Sequence, residues 1–235
     1  MTASSHLSDN LKLLAHETAL LMSTAAGLDD KTIREASLCA GWTRAHVLSH
    51  LARNADALGR LAGWAKTGTP VAMYESPQAR DADIEAGSTR GAADILADLE
   101  SAADRFATRA AGLSGPPELC QVEMRAGRKV RGGQLPTLRL LEVVFHHVDL
   151  NAGYTFAQAD PGFVQRSIGN AVDRMRASGE VPALSLVGDD GQTWSIGEGA
   201  KDVTGSNAAM LLWLARGDEA GVSSDSDLPK LPAWG

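Results

Sequence analysis

Cysteine is nearly absent. Only Cys39 and Cys120 occur in 235 residues, with no C-x-x-C pair. Neither a disulfide framework nor a closed cysteine zinc site therefore organises the chain, and a reducing compartment, the cytoplasm, is the expected location. Aromatic residues are scarce at 5 %, while alanine and leucine abound, which favours helices. No basic run occurs, and 22 basic against 29 acidic side chains leave a formal charge of −7. That balance argues against a nucleic-acid partner. No stretch approaches the roughly 20 apolar residues of a membrane span, and the opening residues, Met1 to His6, lack the charged-then-apolar layout of a secretory signal. No internal repeat is visible. What the chain does have is 44 % hydrophobic residues, enough for a sizeable core in one large or two small domains.

Periodicity predicts four long helices. The first spans Leu7 to Ala26, with Leu11, Leu14, Leu21 and Met22 at helical spacing and Gly27 as its stop. The second follows Gly41-Trp42-Thr43, with Thr43 as N-cap, and runs to about Lys66. The third spans Gly91 to Ala111, with Ile95, Leu96, Leu99 and Phe106 inward, and the fourth spans Leu135 to about Asn151. Between the second and third lies a long polar segment, Val71 to Arg90, ending in an acidic turn of helix; connections of this length are often functional. Cys120 to Val130 reads as a hairpin around Ala126-Gly127. After Gly153 the pattern changes to a helix over Pro161 to Ser178 and short strands at Ala183–Val187, Thr193–Ile196 and Lys201–Thr204. Gly188-Asp-Asp-Gly191 marks a turn between the first two strands. A last helix over Ser206 to Ala215 precedes an irregular tail from Val222. The predicted fold is α+β, mainly α: a four-helix bundle over residues 1–157, then a small α+β domain over 158–235.

The fourth helix is apolar on most sides and carries one polar stripe. Arg139, Glu142, His146 and Asp149 fall within roughly 60° of each other at 100° per residue. Buried charges need internal partners, and a metal ion is one solution. On the second helix, His50 lies nearer the apolar face of Val47, Leu51, Leu58 and Leu61 than His46 does. On the fourth, His147 is about 140° from Glu142, against about 40° for His146. Helical phase thus selects His50, Glu142 and His146, two imidazoles and a carboxylate, suited to zinc, nickel or iron(II) with positions left open. Asp149 would orient an imidazole and Arg139 would balance the carboxylates. Spacing alone leaves a second reading open, a polar network that binds nothing. Cys39 and Cys120 read as small packing or surface residues. Trp42, Trp64, Trp194 and Trp213 read as packing.

Three segments carry a resemblance: Gly41-Trp-Thr-Arg-Ala-His-Val-Leu-Ser-His50 through Asp56, Met73-Tyr-Glu-Ser-Pro-Gln-Ala-Arg80, and Arg139-x-x-Glu142-x-x-x-His146-x-x-Asp149. Together they resemble the mycothiol-dependent maleylpyruvate isomerases, a family within the DinB-like metalloenzymes. The similarity extends over nearly the whole chain, to the Leu-Ala-Arg216-Gly that ends the last helix, and is least clear over Cys120 to Gln134. It implies a DinB-like bundle whose metal ligands are His50, Glu142 and His146, with zinc and mycothiol as cofactors. Arg80 and Arg216 would be catalytic arginines, gripping the carboxylates of a small dicarboxylate substrate. The implied reaction is cis–trans isomerisation of maleylpyruvate to fumarylpyruvate in gentisate breakdown. The implied partners are that substrate and mycothiol only, with a monomer expected. Two other functions fit the same residues: a mycothiol S-transferase acting on electrophiles, and a ligand-binding bundle without enzymatic activity.

Overall fold

The computed structural model describes residues 3–179, 182–198 and 201–231. The chain divides into two compact units, Met1–Tyr154 and Thr155–Gly235.

The first unit contains α1 (Ala3–Ala26), α2 (Arg44–Thr67), α3 (Pro77–Ser88), α4 (Ala92–Ala110), α5 (Pro116–Leu119), the strands β1 (Gln121–Glu123) and β2 (Lys129–Arg131), and α6 (Leu135–Asp149). Four of these form the expected bundle: α2 packs on α4 and α6, and α1 packs on the same two. Local chemistry sets the limits of α2. Its N-cap Thr43 shares its N–H with the ring of His46, and Gly68 ends it in the left-handed conformation at φ 73°. Ile95, Leu99 and Phe106 of α4 are buried as expected, and Leu96 is half-buried. The fourth long helix stops at Asp149, two residues short of the expected end. Asn151 turns left-handed there at φ 50°, a conformation that asparagine tolerates better than most residues.

The polar connector is more ordered than its sequence suggests. In place of a single turn it holds the 12-residue α3, opened by Pro77 at the first position and capped by Ser76, whose Oγ accepts from Ala79 N at 3.0 Å. Arg34, in a 3-10 turn at Thr32–Arg34, closes the other end by donating to the carbonyls of Ser88, Thr89 and Arg90. The expected hairpin is present, with Val122 opposite Val130.

The second unit contains α7 (Pro161–Ser178), β3 (Leu184–Gly188), β4 (Thr193–Ile196), β5 (Lys201–Gly205), α8 (Asn207–Arg216) and β6 (Val222–Ser224). The sheet order is β4-β3-β5-β6, with β3 and β5 parallel and the outer pairs antiparallel. Ser206 caps α8, its side chain accepting from Ala209 N. The start of the tail is a correction: Val222 to Ser224 pair with β5. The end of the tail, 232–235, lies outside the described residues. Among the described residues no helix is long and apolar enough to cross a membrane.

His147 faces away from the polar stripe, as its helical phase predicts. It is buried against α1, with Nε2 2.7 Å from Thr24 Oγ1 and its ring stacked at 3.6 Å on Tyr154. Tyr154 in turn donates to the buried Glu17 at 2.6 Å. Burial lowers the His147 pKa to about 4. The unfolded chain takes up this proton near pH 6.5, and the folded chain does not until about pH 4. The stability is therefore complete above pH 6.5 and is lost as pH falls towards 4, at up to about 1.4 kcal/mol per pH unit. Thermal melts at pH 7 and pH 5 should show a smaller acid loss in His147→Gln than in wild type. Equal losses would show that other groups carry the acid sensitivity.

Candidate metal centre

Three donors from two helices converge. His50 Nε2 lies 2.9 Å from Glu142 Oε2, and His146 Nε2 lies 3.4 Å from the same oxygen. One ligand atom from each residue falls within 4.8 Å of the others. Glu142 and His146 sit one helical turn apart on α6, and His50 comes across from α2. His50 is buried, while Glu142 and His146 are half-buried, with the Glu142 side chain 34 % exposed. The rings of His50 and His146 stand edge-to-face at 4.7 Å.

The electrostatics separate the three groups. Burial opposes the charge on Glu142, but hydrogen bonds from His146 and His50 overcome it and hold the carboxyl well below its usual range. Burial keeps His50 neutral by lowering its pKa, against the pull of Glu142. Burial also opposes a charge on His146, yet its hydrogen bonds to Asp149, Cys39 and Glu142 raise its pKa well above the usual value. Asp149 is fully buried and accepts from His146 Nδ1 at 2.8 Å, which leaves Nε2 facing the other donors. An imidazole turned by a carboxylate on its far nitrogen is the usual arrangement around a metal. Two nitrogens, one ionised oxygen and that outer carboxylate fit a divalent cation such as zinc.

Other neighbours were not apparent in the sequence. Cys39 approaches Asp149 Oδ2 at 3.3 Å and His146 Nδ1 at 3.9 Å, so it packs behind the site. Cys39, His146 and Asp149 form a second group of potential donors. Trp42 lies against both histidines of α2, 5.5 Å from the His50 ring and 6.3 Å from that of His46. Sequence proximity to His46 and His50 was the available signal for Trp42; none marked Cys39. His46 stays outside the donor set, with Nε2 3.2 Å from Glu85.

Arg80, near the start of α3, reaches His50: its Nη2 lies 3.2 Å from Nδ1, while Nη1 pairs with the exposed Asp81 at 2.6 Å. Arg216 is the last residue of α8 in the second unit, where its Nη1 donates to Ala215 O at 2.8 Å. Arg139 feels the charge of Glu142 without touching it. It forms no ion pair with a carboxylate among the described residues; Nη1 donates to Leu51 O and Asn54 Oδ1, both at 2.8 Å. Burial lowers its pKa to about 10, so it remains a cation at neutral pH. Its Nη2 has no hydrogen-bond partner among the described residues.

Arg44 joins the same two helices. Its Nε donates to Leu150 O at 2.7 Å and Nη2 to Asn151 O at 2.6 Å, while Nη1 serves Thr32 O at 3.1 Å and Glu35 at 2.6 Å. The start of α2 is thereby fastened to the end of α6.

Residues 14–151 match the model of the mycothiol maleylpyruvate isomerase N-terminal domain family. The chain belongs to that family. The solved structure of the mycothiol-dependent maleylpyruvate isomerase is similar over 97 % of this chain and 97 % of its own, with 28 % identity and a TM-score of 0.90. A histidine-to-alanine mutant of that isomerase matches at the same identity, coverage and TM-score. No curated protein sequence matches this chain. The family match covers α2 and α6, and so the whole of the donor set.

Proposed function

We propose that this chain is a mycothiol-dependent isomerase converting maleylpyruvate to fumarylpyruvate, with His50, Glu142 and His146 holding a zinc ion. The observation that carries this reading is the convergence of those donor atoms within 4.8 Å in a chain of the isomerase family. Zinc in such a site supplies the positive charge that keeps a thiol ionised at neutral pH. Mycothiol supplies a nucleophile whose reversible addition makes a conjugated C=C bond single, so that it can rotate.

The chain's own residues do the rest. Asp149 fixes the orientation of the His146 ring through Nδ1. Arg80 is the unit-one arginine for a substrate carboxylate, since a guanidinium matches that group with two parallel N–H bonds. Its neighbour Asp81 is exposed, and a partner so well hydrated holds the guanidinium only weakly. Arg216 is assigned the second carboxylate. The reading further takes the protein to be a monomer in the reducing cytoplasm, in keeping with two free cysteines.

The test is isomerisation of maleylpyruvate by the zinc-loaded protein with mycothiol, with glutathione and with no thiol. Turnover should require a thiol and be fastest with mycothiol. Inert maleylpyruvate alongside consumption of an alkylating electrophile would replace this reading with thiol transfer.

A further inference from the structure

Tyr74 has no role so far and lies beside Arg80. It sits on the loop between α2 and α3. Arg60 of α2 donates both Nε and Nη2 to the carbonyl of Met73, at 3.2 and 2.8 Å, and the Met73 side chain is buried. A forked guanidinium sets direction as well as distance, so the backbone entering Tyr74 is fixed to α2. The Tyr74 ring lies under Arg80, whose Cζ is 5.9 Å from the ring centroid. The same guanidinium reaches His50 Nδ1 at 3.2 Å. A single side chain thus separates the ring from a donor of the metal centre.

The phenol oxygen lies within hydrogen-bonding reach of Arg80. Burial raises its pKa above the usual value, Arg80 opposes this and Glu142 adds to it; Arg139 also feels the phenol. The phenol therefore keeps its proton at neutral pH, and an un-ionised phenol is a hydrogen-bond donor. Tyr74 is half-buried, and Met73 fills the core beside it.

We propose that Tyr74 is a further catalytic residue, its O–H donating a hydrogen bond to the substrate carbonyl oxygen that becomes negative during isomerisation. As the C–S bond forms, the C=C electron pair shifts onto that conjugated oxygen; as it breaks, the pair returns and the thiolate leaves. No electron is lost, and the phenol proton stays on Tyr74. A preorganised donor at such an oxygen lowers the barrier in both directions. This inference rests on the isomerase reading.

The test is Tyr74→Phe in the zinc-loaded chain with mycothiol and maleylpyruvate. This variant keeps the ring under Arg80 and removes only the hydroxyl. kcat should fall by about 10²-fold, with KM, metal content and Tm unchanged. A kcat close to wild type overturns the proposal, and so does a variant that loses its metal or its fold, since the residue would then be structural. A second readout needs no turnover. The chain has two tyrosines, so 2-oxoglutarate, which has two carboxylates and a carbonyl but no C=C, should produce a tyrosine ultraviolet difference band in wild type that Tyr74→Phe lacks. A band of equal size in the variant belongs to Tyr154 and overturns the assignment. Wild-type turnover reports separately on the isomerase reading: an inactive wild type defeats that reading, and an active wild type with an equally active variant defeats only this one.

Discussion

His50→Ala should lose its metal and its turnover together, with activity down by about 10³-fold or more. His50 is the only donor that α2 brings to the set; Glu142 and His146 both ride on α6. The pair that remains is a two-donor fragment of the site with one imidazole and one carboxylate. Removal of an outer group that merely orients a ligand typically costs 10–100-fold in metal affinity, and removal of a ligand itself costs more. The fold should survive, because neighbouring Val47, Leu51 and Leu58 remain in the core. Elemental analysis after dialysis, with circular dichroism to confirm folding, is the measurement. His46→Ala is the control four residues away: its ring pairs with Glu85, so metal should be retained. A His50→Ala protein that keeps one metal per chain would remove His50 from the ligand set.

Arg44→Ala should lower stability by about 3 kcal/mol. The guanidinium serves three backbone carbonyls and the Glu35 carboxylate, and it is 9 % exposed. Truncation leaves the carbonyls at the end of α6 without donors, and each buried group left unpaired costs about 1–3 kcal/mol. For a chain of this size the loss corresponds to a Tm lower by about 6–12 °C. Melts run in a chelator would separate this from any effect through bound metal. Arg44→Lys should recover only part, because one ammonium cannot span Leu150, Asn151 and Thr32 at once. A Tm within about 2 °C of wild type would mean that water replaces the arginine.

Much of the centre was legible because helical phase is a local property. The choice of His50 over His46, and of His146 over His147, follows from angles around two helices, and the structure brings His50 and His146 together with Glu142. The position of Asp149, three residues beyond His146, places it on the same face by the same reasoning. Loops carry no such period. Cys39 and Trp42 reach the centre, and Tyr74 reaches Arg80 beside it, only because their segments dock on the helices, and the anchors that dock them, such as Arg60 on the Met73 carbonyl, act across the fold. Arg139 shows the limit of reasoning within one helix. Its phase with Glu142 suggested a charge pair, but the guanidinium turns to the carbonyl of Leu51 on the neighbouring helix. In the second unit, β6 reads as irregular because three residues of strand have no signature until β5 is there to pair with them.

The polar ties between α2 and α6 also settle a question that the apolar ones leave open. Arg44 meets the end of α6, His50 meets Glu142, and Asn54 meets Arg139. The contacts descend one helix as they climb the other. Faces built from alanine and leucine can slide past each other by a helical turn at modest cost. Each of these three contacts would be lost by such a slide, and all would be lost at once. The register of the two helices is thus specified by buried polar groups, a use for which they are best attested. Whatever they add to stability, these residues leave the chain only one way to align its donors.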